Sequence, residues 1–185
     1  MTDPQAPSSS RVIEVRDPES MHDVCMSLGQ QLRAGDLVIL TGPLGAGKTT
    51  LTRGIGEGLG IRGPVQSPTF VIARTHPSLI GGAPLVHVDA YRLADATELD
   101  DLDLDFDGSV VVAEWGAGLL EGRGSWVELV IERPTGADDA GGDAVGIDAA
   151  TEPNDDDEEW SAELVEPRTV TVHGFGPRWS EGVLP

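Results

Sequence analysis

The stretch DLVILTGPLGAGKTT, residues 36–50, decides the fold. Asp36 to Thr41 (DLVILT) is apolar and β-branched, the composition of a strand buried on both faces. GPLGAGKT, residues 42–49, matches G-x₄-G-K-T. Leu51, Ile55 and Leu59 then recur at helical spacing, and Gly60 stands where that helix should stop. In a strand, Gly-rich loop and helix, the loop curls so that successive backbone N–H groups face a phosphate. The helix N-terminus adds partial positive charge. Lys48 is placed to reach the β- and γ-phosphates, and the Thr49 hydroxyl to ligate Mg²⁺. The expected nucleotide-binding residues are Gly42, Leu44, Gly45, Ala46, Gly47, Lys48, Thr49 and Thr50. Lys48 is the only lysine; the other eleven basic residues are arginine. A compact, extendable ammonium thus stands at the one place that needs it. Guanine-reading motifs of the N-K-x-D type need a second lysine, so ATP is the favoured nucleotide. The helix also carries Gly54, Gly56 and Gly58. Each costs about 1 kcal/mol against alanine, so packing or a ligand must hold the helix.

A P-loop needs a carboxylate to complete the magnesium shell, commonly at the end of a nearby strand. Glu114 follows Val110-Val111-Val112-Ala113, and Asp89 follows Leu85-Val86-His87-Val88. Both are expected at the carboxyl edge of a parallel sheet, where ligands of open α/β sheets bind. Residues 103–114 (DLDFDGSVVVAE) also match the calcium loop of an EF-hand. An EF-hand needs an exiting helix, but SVVVAEWG is β-branched and apolar. The would-be loop also buries Leu104 and Phe106, and it has no second copy. The alternation from Asp101 to Asp107 reads better as Leu102, Leu104 and Phe106 on one face with acids on the other. QSPTF, residues 66–70, follows the P-loop by about twenty residues, where switch segments present a threonine to Mg²⁺ or the γ-phosphate. Thr69 is the candidate. His87 shares a face with Asp89 and is expected as a packed or supporting residue. The four histidines have no zinc-ligand spacing. Arg92 is left between pairing with a carboxylate and approaching phosphate.

Outside these motifs, residues 1–10 read as a disordered polar arm, with no basic start or apolar core of a secretory signal. Arg11–Val15 reads as a short strand. Ser20 and Asp23 are spaced as a capping box for a helix carrying Val24, Leu28 and Leu32, with Gly35 as its stop. Strands are expected over Thr69–Ala73, Leu85–Val88, Val110–Ala113, Trp126–Ile131 and Arg168–His173, with a helical turn over Asp95–Leu99. The domain reading is a P-loop domain over 11–134, an acidic disordered insert over 135–163, a final strand within 164–175 and a tail over 176–185. The chain has 185 residues and a net charge of −20. Residues 135–167 hold twelve carboxylates and no Lys or Arg, which leaves −8 for the remainder. That balance argues against tight capture of nucleic acid by this chain alone and favours a basic partner surface. Cys25 is the single cysteine, expected to be a small buried apolar residue in a reducing, cytoplasmic setting. No apolar run approaches the roughly 18 residues of a membrane helix. A compact α/β domain with an added antiparallel portion is expected.

LGAGKTT (44–50), SPTF (67–70), VHVDAYRL (86–93) and VVAEW (111–115), in that order and spacing, resemble the TsaE (YjeE) family, small bacterial P-loop ATPases needed to make N6-threonylcarbamoyladenosine in tRNA. The resemblance covers roughly residues 11–133 and RTVTV at 168–172. It implies an α/β P-loop NTPase-type mixed sheet flanked by helices in a single compact domain. Lys48, Thr49 and Glu114 match the family's phosphate lysine and magnesium ligands. Asp89 matches the acid tied to ATP hydrolysis, and Arg168 an arginine near the nucleotide. Lys48, Asp89, Glu114 and Thr69 are the catalytic candidates, with ATP and Mg²⁺ as the implied cofactors. The implied partners are the threonylcarbamoyl transferase TsaD and its paralogue TsaB, with tRNA met only through that complex. Pro43 stands where the family is usually acidic, Gly116 where proline is frequent, and the acidic insert falls outside the common pattern. The rival enzyme reading is a P-loop small-molecule kinase, which needs an acceptor pocket and an Arg-bearing lid that the sequence does not identify.

Overall fold

The computed structural model describes residues 6–43, 45–68, 71–92, 104–116, 124–132 and 167–184. Among them are seven strands, β1 Ser9–Val15, β2 Leu37–Thr41, β3 Ala73–His76, β4 Leu85–Asp89, β5 Val110–Glu114, β6 Trp126–Glu132 and β7 Arg168–Phe175. Two α-helices accompany them, α1 Pro18–Gly29 and α2 Lys48–Leu59, with short 3-10 turns at Ala90–Arg92 and Pro177–Trp179. The strands form one sheet in the order β1-β7-β6-β2-β5-β4-β3. The central run β6-β2-β5-β4 is parallel, and antiparallel strands extend both sides. The molecule is a mixed α/β sheet in a single compact domain.

The order follows from burial. β5 is buried at every position and β2 at its first four, as uninterrupted apolar sequence requires of strands covered on both faces. β7 alternates buried and half-buried residues, as suits a strand nearer the margin. One core, built from Val38, Leu40, Val110, Val112 and Leu85, packs under α1 and α2 through Met21, Cys25, Leu28, Leu51, Ile55 and Leu59. Each fully buried Leu or Ile here is worth about 1.5–3 kcal/mol. The other face holds Leu37, Ile39, Val86, Val88, Val111 and Ala113, with Trp126 stacked on Phe175 at 4.6 Å between ring centroids. Leu104 and Phe106 pack there, as their alternation with acids predicted, while Leu102 lies outside the described residues. The glycines of α2 are explained by α1: a side chain at Gly54 would meet Cys25 Cβ at 2.5 Å, and one at Gly58 would meet the Met26 carbonyl oxygen at 2.5 Å.

Several boundaries differ from the sequence reading. The capping box is Asp17 with Ser20, one turn before the expected pair. The Asp17 carboxylate accepts from Ser20 N at 2.8 Å, and Ser20 Oγ accepts from Asp17 N. Helix α1 stops at Gly29, and Gly35 serves a later turn with φ +88°. β1 begins at Ser9, so the expected arm of 1–10 gives its last residues to the sheet. β3 begins at Ala73 rather than Thr69, because Ile72 adopts φ +68°, incompatible with extended backbone. The expected tail packs into the core through Trp179 and Val183, 2% and 4% exposed. The expectations for Asp95–Leu99 and for the 135–163 insert lie outside the described residues. None of the described helices is long and apolar enough to cross a membrane.

His76 supplies a pH-dependent element. It is buried, and its Nε2 has no hydrogen-bond partner among the described residues. Burial lowers its pKa, with His87 and Arg74 adding repulsion. Below the ordinary histidine value of about 6.5 the unfolded chain therefore binds a proton that the folded chain resists. The expected result is stability that is flat above that value and declines as the pH falls through it. His76→Gln should lose less of its urea midpoint than the wild type between pH 7.5 and pH 5.5.

Candidate functional site

β2 ends at Thr41, and α2 starts at Lys48 with Gly47 as its N-cap at φ +92°. This left-handed conformation favours glycine. A side chain at Gly47 would also sit 2.7 Å from Arg168 Nη1. Arg168 opens β7, is 3% exposed, and donates from Nη1 to the Ala46 carbonyl. Arg168, at the start of the last strand, thus reaches the loop directly through its side chain. Gly42 lies against β6: a Cβ there would be 3.1 Å from the Ile131 carbonyl oxygen.

Lys48 is buried, and Nζ donates to the carbonyls of Gly42 at 3.1 Å and Pro43 at 2.9 Å. The same ammonium lies 4.3 Å from the centroid of the Trp115 ring. Burial lowers its pKa, and the nearby Glu114 and Asp89 carboxylates oppose that shift. Thr49, on the first turn of α2, donates from Oγ1 to Glu114 Oε1 at 3.2 Å. Glu114 ends β5 and is 8% exposed. Asp89 ends β4 directly beside it in parallel register. Its Oδ1 accepts from Tyr91 N at 3.2 Å, and its own N–H donates to the Ile72 carbonyl at 2.8 Å. His87 is fully buried, with Nε2 3.0 Å from Glu114 Oε1. Gly45 and Ala46 lie in the loop and Thr50 is half-buried on the first turn of α2. Leu44 and Thr69 lie outside the described residues, as does the Arg92 side chain. Pro68, just before Thr69, accepts from both Val71 N and Ile72 N through its carbonyl and so closes the turn that follows.

The structure therefore brings Lys48, Thr49, Glu114 and Asp89 to one end of the sheet from three elements. The residues after Gly108, where an EF-hand would need its exiting helix, form the strand Val110–Glu114 with Glu114 at its tip, which removes the EF-hand reading. Asp105 instead accepts from Gly108 N at 2.9 Å as a local turn. The hydroxyl and carboxylate oxygens are hard ligands. They suit Mg²⁺, which takes one or two protein carboxylates and completes its shell with phosphate and water. No cluster of three or more His, Cys, Asp or Glu able to hold a metal occurs among the described residues. Sequence reasoning gave Trp115 no role of its own. It stands at φ +61°, 40% exposed, with its ring 5.8 Å from that of Tyr91. An aromatic residue immediately after the strand-tip acid was the available signal.

Comparisons with known proteins bear on the family and the fold. The family model described as "Threonylcarbamoyl adenosine biosynthesis protein TsaE" matches residues 15–135. A Streptomyces coelicolor protein named "tRNA threonylcarbamoyladenosine biosynthesis protein TsaE" is 51% identical over 163 residues, 86% of this chain and 94% of that one. A Mycobacterium leprae protein of the same name is 56% identical over 103 residues, 51% of this chain and 64% of that one. Among solved structures, Bacillus subtilis YdiB is similar with a TM-score of 0.59 and 26% identity, covering 92% of this chain and 88% of that one. With the P-loop, strand-tip acids and strand order in place, the chain belongs to the TsaE family of threonylcarbamoyl adenosine biosynthesis proteins.

Proposed function

We propose that this protein is a cytoplasmic Mg²⁺-dependent ATPase that supports synthesis of N6-threonylcarbamoyladenosine in tRNA. In this reading it works with the TsaD/TsaB transferase and meets tRNA only through that complex. The observation that carries it is the convergence of Lys48, Thr49, Glu114 and Asp89, with Thr49 bonded to Glu114 at 3.2 Å. The loop from Gly42 to Gly47 and the N-terminus of α2 bind the phosphates, and Lys48 leaves its two carbonyls to meet them. Thr49 and Glu114 would hold Mg²⁺, which supplies charge neutralisation of the phosphates when bound. Asp89 is the acid that orients water for attack, and Arg168 braces the loop from β7. Hydrolysis resets the transferase complex between rounds.

Phosphate release by the purified protein with Mg²⁺-ATP, alone and with TsaD and TsaB, tests the reading. Free phosphate is expected, rising with the partners, and Glu114→Ala should reduce it by about a hundredfold. Co-purification with TsaD and TsaB should depend on ATP. Transfer of the γ-phosphoryl group to a small acceptor would support the kinase alternative instead, and unchanged phosphate release in Glu114→Ala would refute the assignment.

A further inference from the structure

We infer that His87 is a positioning residue for the magnesium site, acting through Glu114; this rests on the Mg²⁺ reading above. His87 is 0% exposed in the parallel core, in register with Val112 and next to the two strand-tip acids. Its Nε2 meets Glu114 Oε1 at 3.0 Å, while its Nδ1 is buried with no hydrogen-bond partner among the described residues. A buried nitrogen without a partner carries a desolvation cost that a leucine in the same space would avoid. The one bond to Glu114 is the interaction that accounts for an imidazole here. A carboxylate only accepts, so Nε2 carries the hydrogen.

The geometry at the carboxylate gives that bond a function. Thr49 Oγ1 and His87 Nε2 both donate to the same oxygen, Oε1, at 3.2 and 3.0 Å. One donor comes from α2 and the other from β4, so Glu114 is held between two elements and its rotamer is fixed. Oε2 accepts no hydrogen bond among the described residues and is the oxygen left for a cation. Outer-shell donors of this kind orient a ligand before the metal arrives, and their loss weakens metal affinity by about 10- to 100-fold.

The test uses paired amides. The side-chain nitrogen of glutamine reaches the position of Nε2, whereas that of asparagine stops near Nδ1. Mg²⁺ is titrated by calorimetry into the wild type, His87→Gln, His87→Asn and Glu114→Gln, each saturated with a non-hydrolysable ATP analogue. Affinity for the analogue in EDTA is measured alongside. The expected result is a wild-type Mg²⁺ midpoint for His87→Gln and a midpoint raised about tenfold or more for His87→Asn, with unchanged affinity in EDTA. Equal midpoints for His87→Gln and His87→Asn, with Glu114→Gln shifted, overturn the role of His87 alone. An unshifted midpoint for Glu114→Gln overturns the magnesium reading and this inference with it. If both His87 variants melt below the assay temperature, His87 is a packing residue and the inference falls.

Discussion

Lys48→Ala should abolish ATP turnover, by about a hundredfold or more, while leaving the fold intact. Among the described residues the ammonium's polar and ring partners are the loop carbonyls of Gly42 and Pro43 and the face of Trp115, and none of its hydrogen bonds goes to a strand. Its removal takes away the one ammonium the chain can offer a triphosphate, and no second lysine stands in reserve. Lys48→Arg should fail as well. A planar guanidinium needs more width than an ammonium, and this one is buried under an indole with two carbonyls on its other side. Phosphate release and thermal melting, measured on the same preparations, check both expectations. Near-normal turnover in Lys48→Ala would contradict the catalytic site, and a large fall in melting temperature would show Lys48 to be structural.

The second large effect is on stability. Gly58→Ala should destabilise the protein by about 2 kcal/mol, although alanine is the better helix former. The added methyl would stand 2.5 Å from the Met26 carbonyl oxygen and 2.9 Å from Gly29 Cα, and backbone atoms cannot turn aside. At Gly56 the nearest atom is the tip of the Ile61 side chain at 2.7 Å, which can shift. Gly56→Ala should therefore lie within about 0.5 kcal/mol of the wild type, strain offsetting propensity. Urea unfolding of the two variants separates a helix held by close approach from one merely rich in glycine. Equal effects at the two positions would refute the account. Forcing α2 away from α1 also displaces Lys48 and Thr49, so Gly58→Ala should bind nucleotide less tightly.

What the sequence revealed of this molecule was what is local and contiguous. The P-loop spans consecutive residues, its strand is a run of apolar β-branched side chains, and the helix after it keeps a clean period to Gly60. Glu114 could be located because a buried strand with an acid at its tip is itself a pattern. The start of α1 was misplaced by one turn because Asp17-x-x-Ser20 and Ser20-x-x-Asp23 offer the same spacing, and only the packing of Met21 and Cys25 selects the first. The 176–184 segment carries no periodicity, so burial of Trp179 and Val183 could not be read from it. The shared grip of Thr49 and His87 on one carboxylate oxygen joins residues 38 positions apart in the chain through a third on another strand. Pairings of that kind depend on strand order and register, which no short window of sequence contains.

The ammonium of Lys48 already rests against two carbonyl oxygens and an aromatic ring. An anion arriving in the loop competes with these internal partners as well as with water. On the proposed function, a single inorganic phosphate has one group to set against them, whereas a triphosphate would also engage the amide groups of the loop and, through Mg²⁺, the Thr49 hydroxyl. On that reading the resting contacts of Lys48 set a threshold that favours the longer chain of charges over a small anion.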